Sequence, residues 1–168
     1  MSKIFWTLFI HSDWRLHIAA TENGLCYVGS QNRSYEEMEA WIKKRFPQNE
    51  LVENKEELAL YTEEIKQYLG GTRRKFTIPM ELKGTEFQLA IWDALLKIPY
   101  GEKKTYSQIA QLINNPAAVR AVGTAIGANP VLLTIPCHRV VAKNGALTGY
   151  RGGLEMKERL LTLENGEI

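Results

Sequence analysis

TYSQIAQLINNPAAVRAVGTAIGA, from Thr105 to Ala128, is the stretch on which the fold turns. Thr105 and Gln108 stand at the spacing of a capping box, which starts a short helix at Tyr106. Asn114-Asn115-Pro116 then breaks the chain; Asn115 is placed to cap, and Pro116 to open, a second helix running to about Ala128. Two helices across a tight turn make a helix-turn-helix, whose second helix is the element expected to enter a DNA groove. At a hundred degrees per residue, that helix puts Val119, Val122, Gly123 and Ile126 on one side and Ala117, Ala121, Thr124 and Ala128 on the other. The outward side carries no long charged side chain. An Ala-rich helix is most often buried on both sides, but here Arg120 on its flank favours close packing against DNA.

Working outward, Thr85 with Gln88 forms a second capping box, opening the helix TEFQLAIWDALLKI. Downstream, TIPCHRVVAKNGALTGY reads as strand, Asn144-Gly145 turn and strand, the wing of a winged helix, and Leu154 to Glu164 closes the chain as a helix. The first 80 residues read differently. Trp14, Leu16, Ile18 and Ala20 alternate, Asn23-Gly24 signals a turn, and IFWTLFI and LCYVGS supply the other strands of a small antiparallel sheet. Amphipathic helices follow over Tyr35 to Phe46 and Glu56 to Leu69, and TRRKFTIPMELKG leads on as a basic strand or linker. The expected organisation is an α/β domain over residues 1–80 and a mostly α winged-helix domain over 81–168.

Composition excludes several classes. With 45% hydrophobic and 24% charged residues in 168, the chain is globular, with enough material for a sizeable core. The apolar run Ile4 to Ile10 is too short to span a bilayer, and a cytoplasmic protein with no membrane partner is expected. Two cysteines form no disulfide framework; Cys26 has only His11 and His17 near it in sequence, so no metal is expected. The net charge of +2 hides an uneven distribution: residues 1–80 balance 11 basic against 11 acidic side chains, whereas Lys97 to Arg151 sets seven bases against Glu102 alone. Such a segment suits a polyanion, because neutralised phosphates release counterions.

IPCHRVV, Ile135 to Val141, carries the one plausible nucleophile. Free cysteines are usually inert packing residues. Pro136 fixes the backbone before Cys137, His138 offers a base, and Arg139 adds a field that favours thiolate. Against a dyad stands the pleat: neighbours in a strand face opposite ways, so Cys137 and His138 would need a bend or a bridging water. The glycines around Tyr150 and Arg151 (GYRGG) match no phosphate loop and fit a tight turn or the close approach of a flat ligand.

Together these segments resemble the O6-alkylguanine-DNA alkyltransferase family, the methylated-DNA-protein-cysteine methyltransferases. The likeness is nearly continuous from Gly84 to Glu164, through RAVGTAIGANP, IPCHRV and GYRGGL. It implies a ribonuclease-H-like N-terminal domain, and double-stranded DNA carrying O6-alkylguanine as partner, met through the minor groove by a monomer. It implies Cys137 as alkyl acceptor, His138 as base through a water, Glu164 orienting that histidine, and Asn129 holding the active-site turn. Tyr106 would crowd a phosphate and donate a proton to the departing guanine, and Arg120 would fill the stack left by the flipped base. Ser107, Asn115, Ala121 and Lys143 would meet DNA; Val140, Tyr150, Gly152 and Gly153 would line the base pocket. The reaction implied is irreversible transfer from O6-alkylguanine, and from O4-alkylthymine, in one turnover without cofactor. A winged-helix module that flags lesions without transfer is the competing reading.

Overall fold

The structure is a computed structural model that describes residues 2–166. The chain divides into two compact units between Lys83 and Gly84.

The N-terminal unit is built on strands β1 (Lys3–His11), β2 (Trp14–Thr21) and β3 (Gly24–Val28). Trp14, Leu16, Ile18 and Ala20 are buried, as their alternation requires. The sheet is not purely antiparallel: β4 (Glu50–Glu53) joins the far side of β1 in parallel, from Lys3 opposite Glu50 to Trp6 opposite Glu53, giving the order β3-β2-β1-β4. Helices α1 (Tyr35–Arg45) and α2 (Ala59–Leu69) follow the expected spans, the latter after a 3-10 turn over Glu56–Leu58. Ile4, Ala19, Cys26, Tyr27, Met38, Ile42 and Phe46 form one core cluster, each aliphatic side chain contributing about 1.5–3 kcal/mol by leaving water. The TRRKFTIPMELKG segment is neither strand nor free linker. Leu25 N–H donates to the Pro79 carbonyl, and Glu81 N–H to the Leu25 carbonyl, both at 2.9 Å. Gly24 is needed there because a Cβ would lie 2.7 Å from the Pro79 carbonyl and Met80 nitrogen.

In the C-terminal unit both capping boxes form, starting α3 (Glu86–Leu96) and α4 (Tyr106–Leu112). The second helix of the motif begins as a 3-10 turn, Pro116–Ala118, and becomes α5 only over Val119–Gly127. The Asn115 side chain makes no capping bond; its backbone carbonyl accepts from Ala118 N–H at 3.0 Å instead. Val122, Ala125 and Ile126 of α5 are buried, while Ala117, Arg120, Ala121 and Thr124 are exposed and Ala128 is half-buried. Trp92 anchors α3 to α5, its indole N–H donating to the Ala125 carbonyl at 2.9 Å.

The expected strand over TIPCHRVV is mostly absent. Cys137–Arg139 is a 3-10 turn, and only Val140–Val141 (β6) is extended, pairing in parallel with Lys104–Thr105 (β5). Gly145, at φ 83°, makes the wing turn, with Ala142 N–H donating to the Ala146 carbonyl at 3.0 Å, but no second wing strand follows among the described residues. Helix α6 (Leu154–Asn165) buries Met156, Lys157, Leu160 and Leu161.

Candidate active site

The nucleophile turn is shaped by its backbone. Leu133 is buried with φ 70°, and Thr134 N–H donates to the Leu132 carbonyl at 2.8 Å, a tight γ-type turn that costs a bulky residue about 1–3 kcal/mol. Pro136, at φ −80° and ψ 60°, sets up a second such turn, in which Cys137 N–H donates to the Ile135 carbonyl at 2.8 Å. These bends take Cys137 out of a pleat, so the objection that Cys137 and His138 must face opposite ways does not apply. Asn129, completely buried after α5, holds the turn with one amide. Its Oδ1 accepts from Val131 N–H at 2.9 Å, while its Nδ2 donates to the Ile135 carbonyl at 3.0 Å and to Cys137 Sγ at 3.1 Å.

Behind the thiol, α6 contributes Glu164, whose carboxylate lies 2.7 Å from His138 Nε2 with both side chains fully buried. Arg139 does not serve Cys137, as the sequence suggested. Its Nε and Nη2 donate to Glu164 Oε1 and Oε2 at 2.9 Å each, and its Nη1 donates to the Ile98 carbonyl at 2.6 Å. Gly101 N–H adds a further donor to Glu164 at 3.1 Å. A carboxylate ringed by donors accepts from the imidazole as well, which assigns the histidine proton to Nε2 and leaves Nδ1 as the basic nitrogen. Burial lowers the His138 pKa and outweighs the upward pull of Glu164, so the imidazole is neutral at physiological pH.

Burial also raises the Cys137 pKa; the Asn129 amide, then Arg151, then Lys157 work against that rise. Sequence reasoning missed the last two in this role. Arg151 Nε donates to the Asn129 carbonyl at 2.8 Å, and Lys157, wholly buried, donates to the Val140 carbonyl at 2.6 Å and the Thr148 carbonyl at 3.1 Å. The signal was present in α6: Lys157, Leu161 and Glu164 recur at helical spacing, which puts the lysine on the inward face.

A cleft of about 550 Å³ is lined by Tyr106, Val119, Arg120, Gly123, Tyr150 and Arg151 among others. The Tyr150 hydroxyl is buried with no hydrogen-bond partner of normal geometry, and burial together with the neighbouring Cys137 holds its pKa well above the usual value. Gly152 is required beneath it, since a Cβ would lie 2.5 Å from the Tyr150 ring and 2.6 Å from Met156 Sδ. Gly153, at φ 89°, starts α6. Val140 meets the site through its carbonyl, its side chain being wholly buried. Ser107, Asn115, Ala121 and Lys143 are exposed, on the first turn of α4, the inter-helix turn, α5 and the wing turn. Ala121 lines a second groove of about 630 Å³ with Ala117, Arg120, Thr124 and the start of α3. Among the described residues no cluster of three or more His, Cys, Asp or Glu side chains is arranged to hold a metal ion, and no helix is long and apolar enough to cross a membrane.

Known proteins share this fold. The ribonuclease-like domain of 6-O-methylguanine DNA methyltransferase matches residues 4–82, and the DNA binding domain of the same family matches residues 86–166. An inducible methylated-DNA–protein-cysteine methyltransferase of Bacillus subtilis is 60% identical over 161 residues, 96% of this chain and 90% of that protein. A methylated-DNA–protein-cysteine methyltransferase of Haemophilus influenzae is 41% identical, over 98% of this chain and 88% of its own. The crystal structure of the Mycobacterium tuberculosis O6-methylguanine methyltransferase superposes with a TM-score of 0.82 at 32% identity, covering 100% of this chain and 95% of that one. The Mycobacterium tuberculosis OGT protein in complex with DNA gives the same score at 33% identity, covering 98% and 93%. The chain belongs to the 6-O-methylguanine DNA methyltransferase family, in both of its domains.

Proposed function

We propose that this protein repairs DNA by moving the alkyl group of O6-alkylguanine, and of O4-alkylthymine, onto Cys137 Sγ, once per molecule and irreversibly. The observation that carries this is the Asn129 donor on Cys137 Sγ at 3.1 Å, in a family whose relatives are cysteine methyltransferases of methylated DNA.

The alkyl carbon on O6 is a soft electrophile, for which a thiolate is a suitable nucleophile. Neutral His138 takes the thiol proton through a water, with Glu164 holding the ring; Asn129, Arg151 and Lys157 then stabilise the thiolate. Sulfur forms its bond to the alkyl carbon as the bond from carbon to O6 breaks. Tyr106 supplies a proton to the departing base. The product is a thioether, which no group of the site can cleave, so turnover stops at one.

An atom inside the duplex is inaccessible to a buried thiol, so the base is flipped into the cleft beside Tyr150. Arg120, exposed beside small residues on α5, fills the stack, and the small outward face of that helix rests in the minor groove. Ser107, Asn115 and Lys143 contact the backbone, where positive charge and turn amides suit phosphate.

Intact-protein mass measured after incubation with O6-methylguanine duplex is the test. One added methyl per chain, absent in Cys137→Ala, is expected; no gain in mass while the protein still binds the duplex would establish lesion flagging instead. Arg120→Ala should slow repair of duplex far more than reaction with free O6-methylguanine. Equal losses on both substrates would remove the finger role.

A further inference from the structure

Tyr106 and Thr148 reach the cleft from separate elements, the first turn of α4 and the segment between the wing turn and α6. Their hydroxyls meet at 3.0 Å, and either can be the donor. The contact is well supported on both sides. The Tyr106 ring lies close to Gly123 of α5, where a Cβ would make ordinary contact with its Cδ1 and Cε1 at 3.8 and 3.9 Å. The Thr148 backbone is pinned by the buried Lys157 ammonium, 3.1 Å from its carbonyl, and the same ammonium holds Val140 at the end of the nucleophile turn. A β-branched side chain on a fixed backbone has few rotamers, so the Thr148 hydroxyl stays where the phenol can use it.

We propose that Thr148 is a positioning residue for proton delivery: its hydroxyl accepts from Tyr106 before the reaction and donates to the Tyr106 oxygen as the proton leaves. This rests on Tyr106 acting as proton donor, as proposed above. When Cys137 sulfur bonds to the alkyl carbon, the electron pair of the broken C–O6 bond stays on guanine, which takes the Tyr106 hydroxyl proton. The phenol oxygen keeps the O–H pair as phenolate until water returns a proton, and nothing is oxidised or reduced. A donor aimed at the phenol oxygen stabilises the negative charge that develops there. Threonine can serve in both states because a hydroxyl carries one donor and two lone pairs and reverses its role by rotating the hydrogen alone.

Single-turnover transfer from saturating O6-methylguanine duplex tests the assignment. Thr148→Val, which keeps the shape and removes the hydroxyl, should react about tenfold to a hundredfold more slowly, the range for a hydrogen bond to a charged group. Its affinity for undamaged duplex should be unchanged, and Thr148→Ser should restore most of the rate. In a Tyr106→Phe background, Thr148→Val should add no further loss. Thr148→Val at full rate, Thr148→Ser as slow as Thr148→Val, or the full loss persisting in Tyr106→Phe would each overturn the role of Thr148. Tyr106→Phe reacting at full rate would instead remove the proton-donor reading itself, and the Thr148 proposal with it.

Discussion

The two cysteines are equally hidden from water and sit in opposite chemical settings. Cys26, in β3, is packed among Ile4, Ala19, Tyr27 and Met38; its thiol donates to the Ala19 carbonyl at 3.5 Å, and the groups that oppose the rise of its pKa are the backbone of Cys26 and Thr21. Burial pushes its pKa up to about 12, and the charge of Glu81 adds to the rise. Cys137 is raised by burial too, but an amide donor and two cations oppose the rise. Burial makes a thiol inert by default. Reactivity returns only where donors and positive charge are built around the sulfur, and in this chain that construction surrounds Cys137.

The comparison breaks most completely at the sulfurs themselves. Cys137→Ala should abolish methyl transfer, whereas Cys26→Ala should transfer fully and lose only about 1 kcal/mol of stability, the typical cost of trimming a core side chain. Methylated-duplex assays with denaturant titration check both, and transfer lost with Cys26 would refute the contrast. Next in size is Glu164→Gln, which leaves the Arg139 guanidinium buried without its carboxylate and frees the His138 ring. Transfer should slow by about a hundredfold, the scale of losing general-base assistance, and stability should fall by about 3 kcal/mol. A variant of wild-type stability would show that the buried pair does not hold α6 to the nucleophile turn. A smaller effect sharpens the contrast: Lys157→Met removes one cation from Cys137 and should make it resemble Cys26. Transfer should slow by about tenfold, equivalent to about 1.4 kcal/mol of lost thiolate stabilisation. The pH midpoint for labelling Cys137 with a small alkylating reagent should move upward, and an unmoved midpoint would restrict Lys157 to its two carbonyls.

The parts of this site differ in how far they could be read from the sequence. The starts of α3 and α4 were legible because a capping box is local: Thr85 with Gln88 and Thr105 with Gln108 satisfy their own helix ends whatever packs nearby. The buried face of α5 was legible from its period. Strand β4 was not, since ELVE is short and begins and ends on an acid, and its parallel pairing with β1 joins segments more than 40 residues apart. The strand read over TIPCHRVV failed for a related reason. Apolar content suggested a pleat, but two γ-type turns consume the backbone donors of Thr134 and Cys137 that a ladder would need. Adjacent charge misled at Arg139, because sequence shows a neighbour of Cys137 and only the fold shows Glu164 between its nitrogens. Lys157 was hidden by habit, since a lysine on an amphipathic helix usually faces water; its spacing to Leu161 and Glu164 was the better guide.

The smallest effect concerns pH, where the two units part again. His138 holds a pKa below its ordinary 6.5 because it is buried, so on acidification the unfolded chain takes up this proton before the folded one does. Its neutral state therefore contributes full stability above pH 6.5, and stability declines as pH falls from there toward the folded value, by up to about 1.4 kcal/mol for each pH unit crossed. His17, on β2 in the N-terminal unit, is also lowered by burial and adds to the same slope. Of the two histidines, only His138 takes up a proton in the proposed reaction. The transfer rate should stay flat through 6.5 and fall only at the lower pH where the buried base is protonated, while His17→Gln should flatten part of the stability slope and leave the rate profile unmoved. A rate that holds constant at a pH where NMR shows the His138 ring protonated in the folded protein would mean that Cys137 loses its proton to some group other than His138. The thiol setting created by Asn129, Arg151 and Lys157 would then suffice without a base.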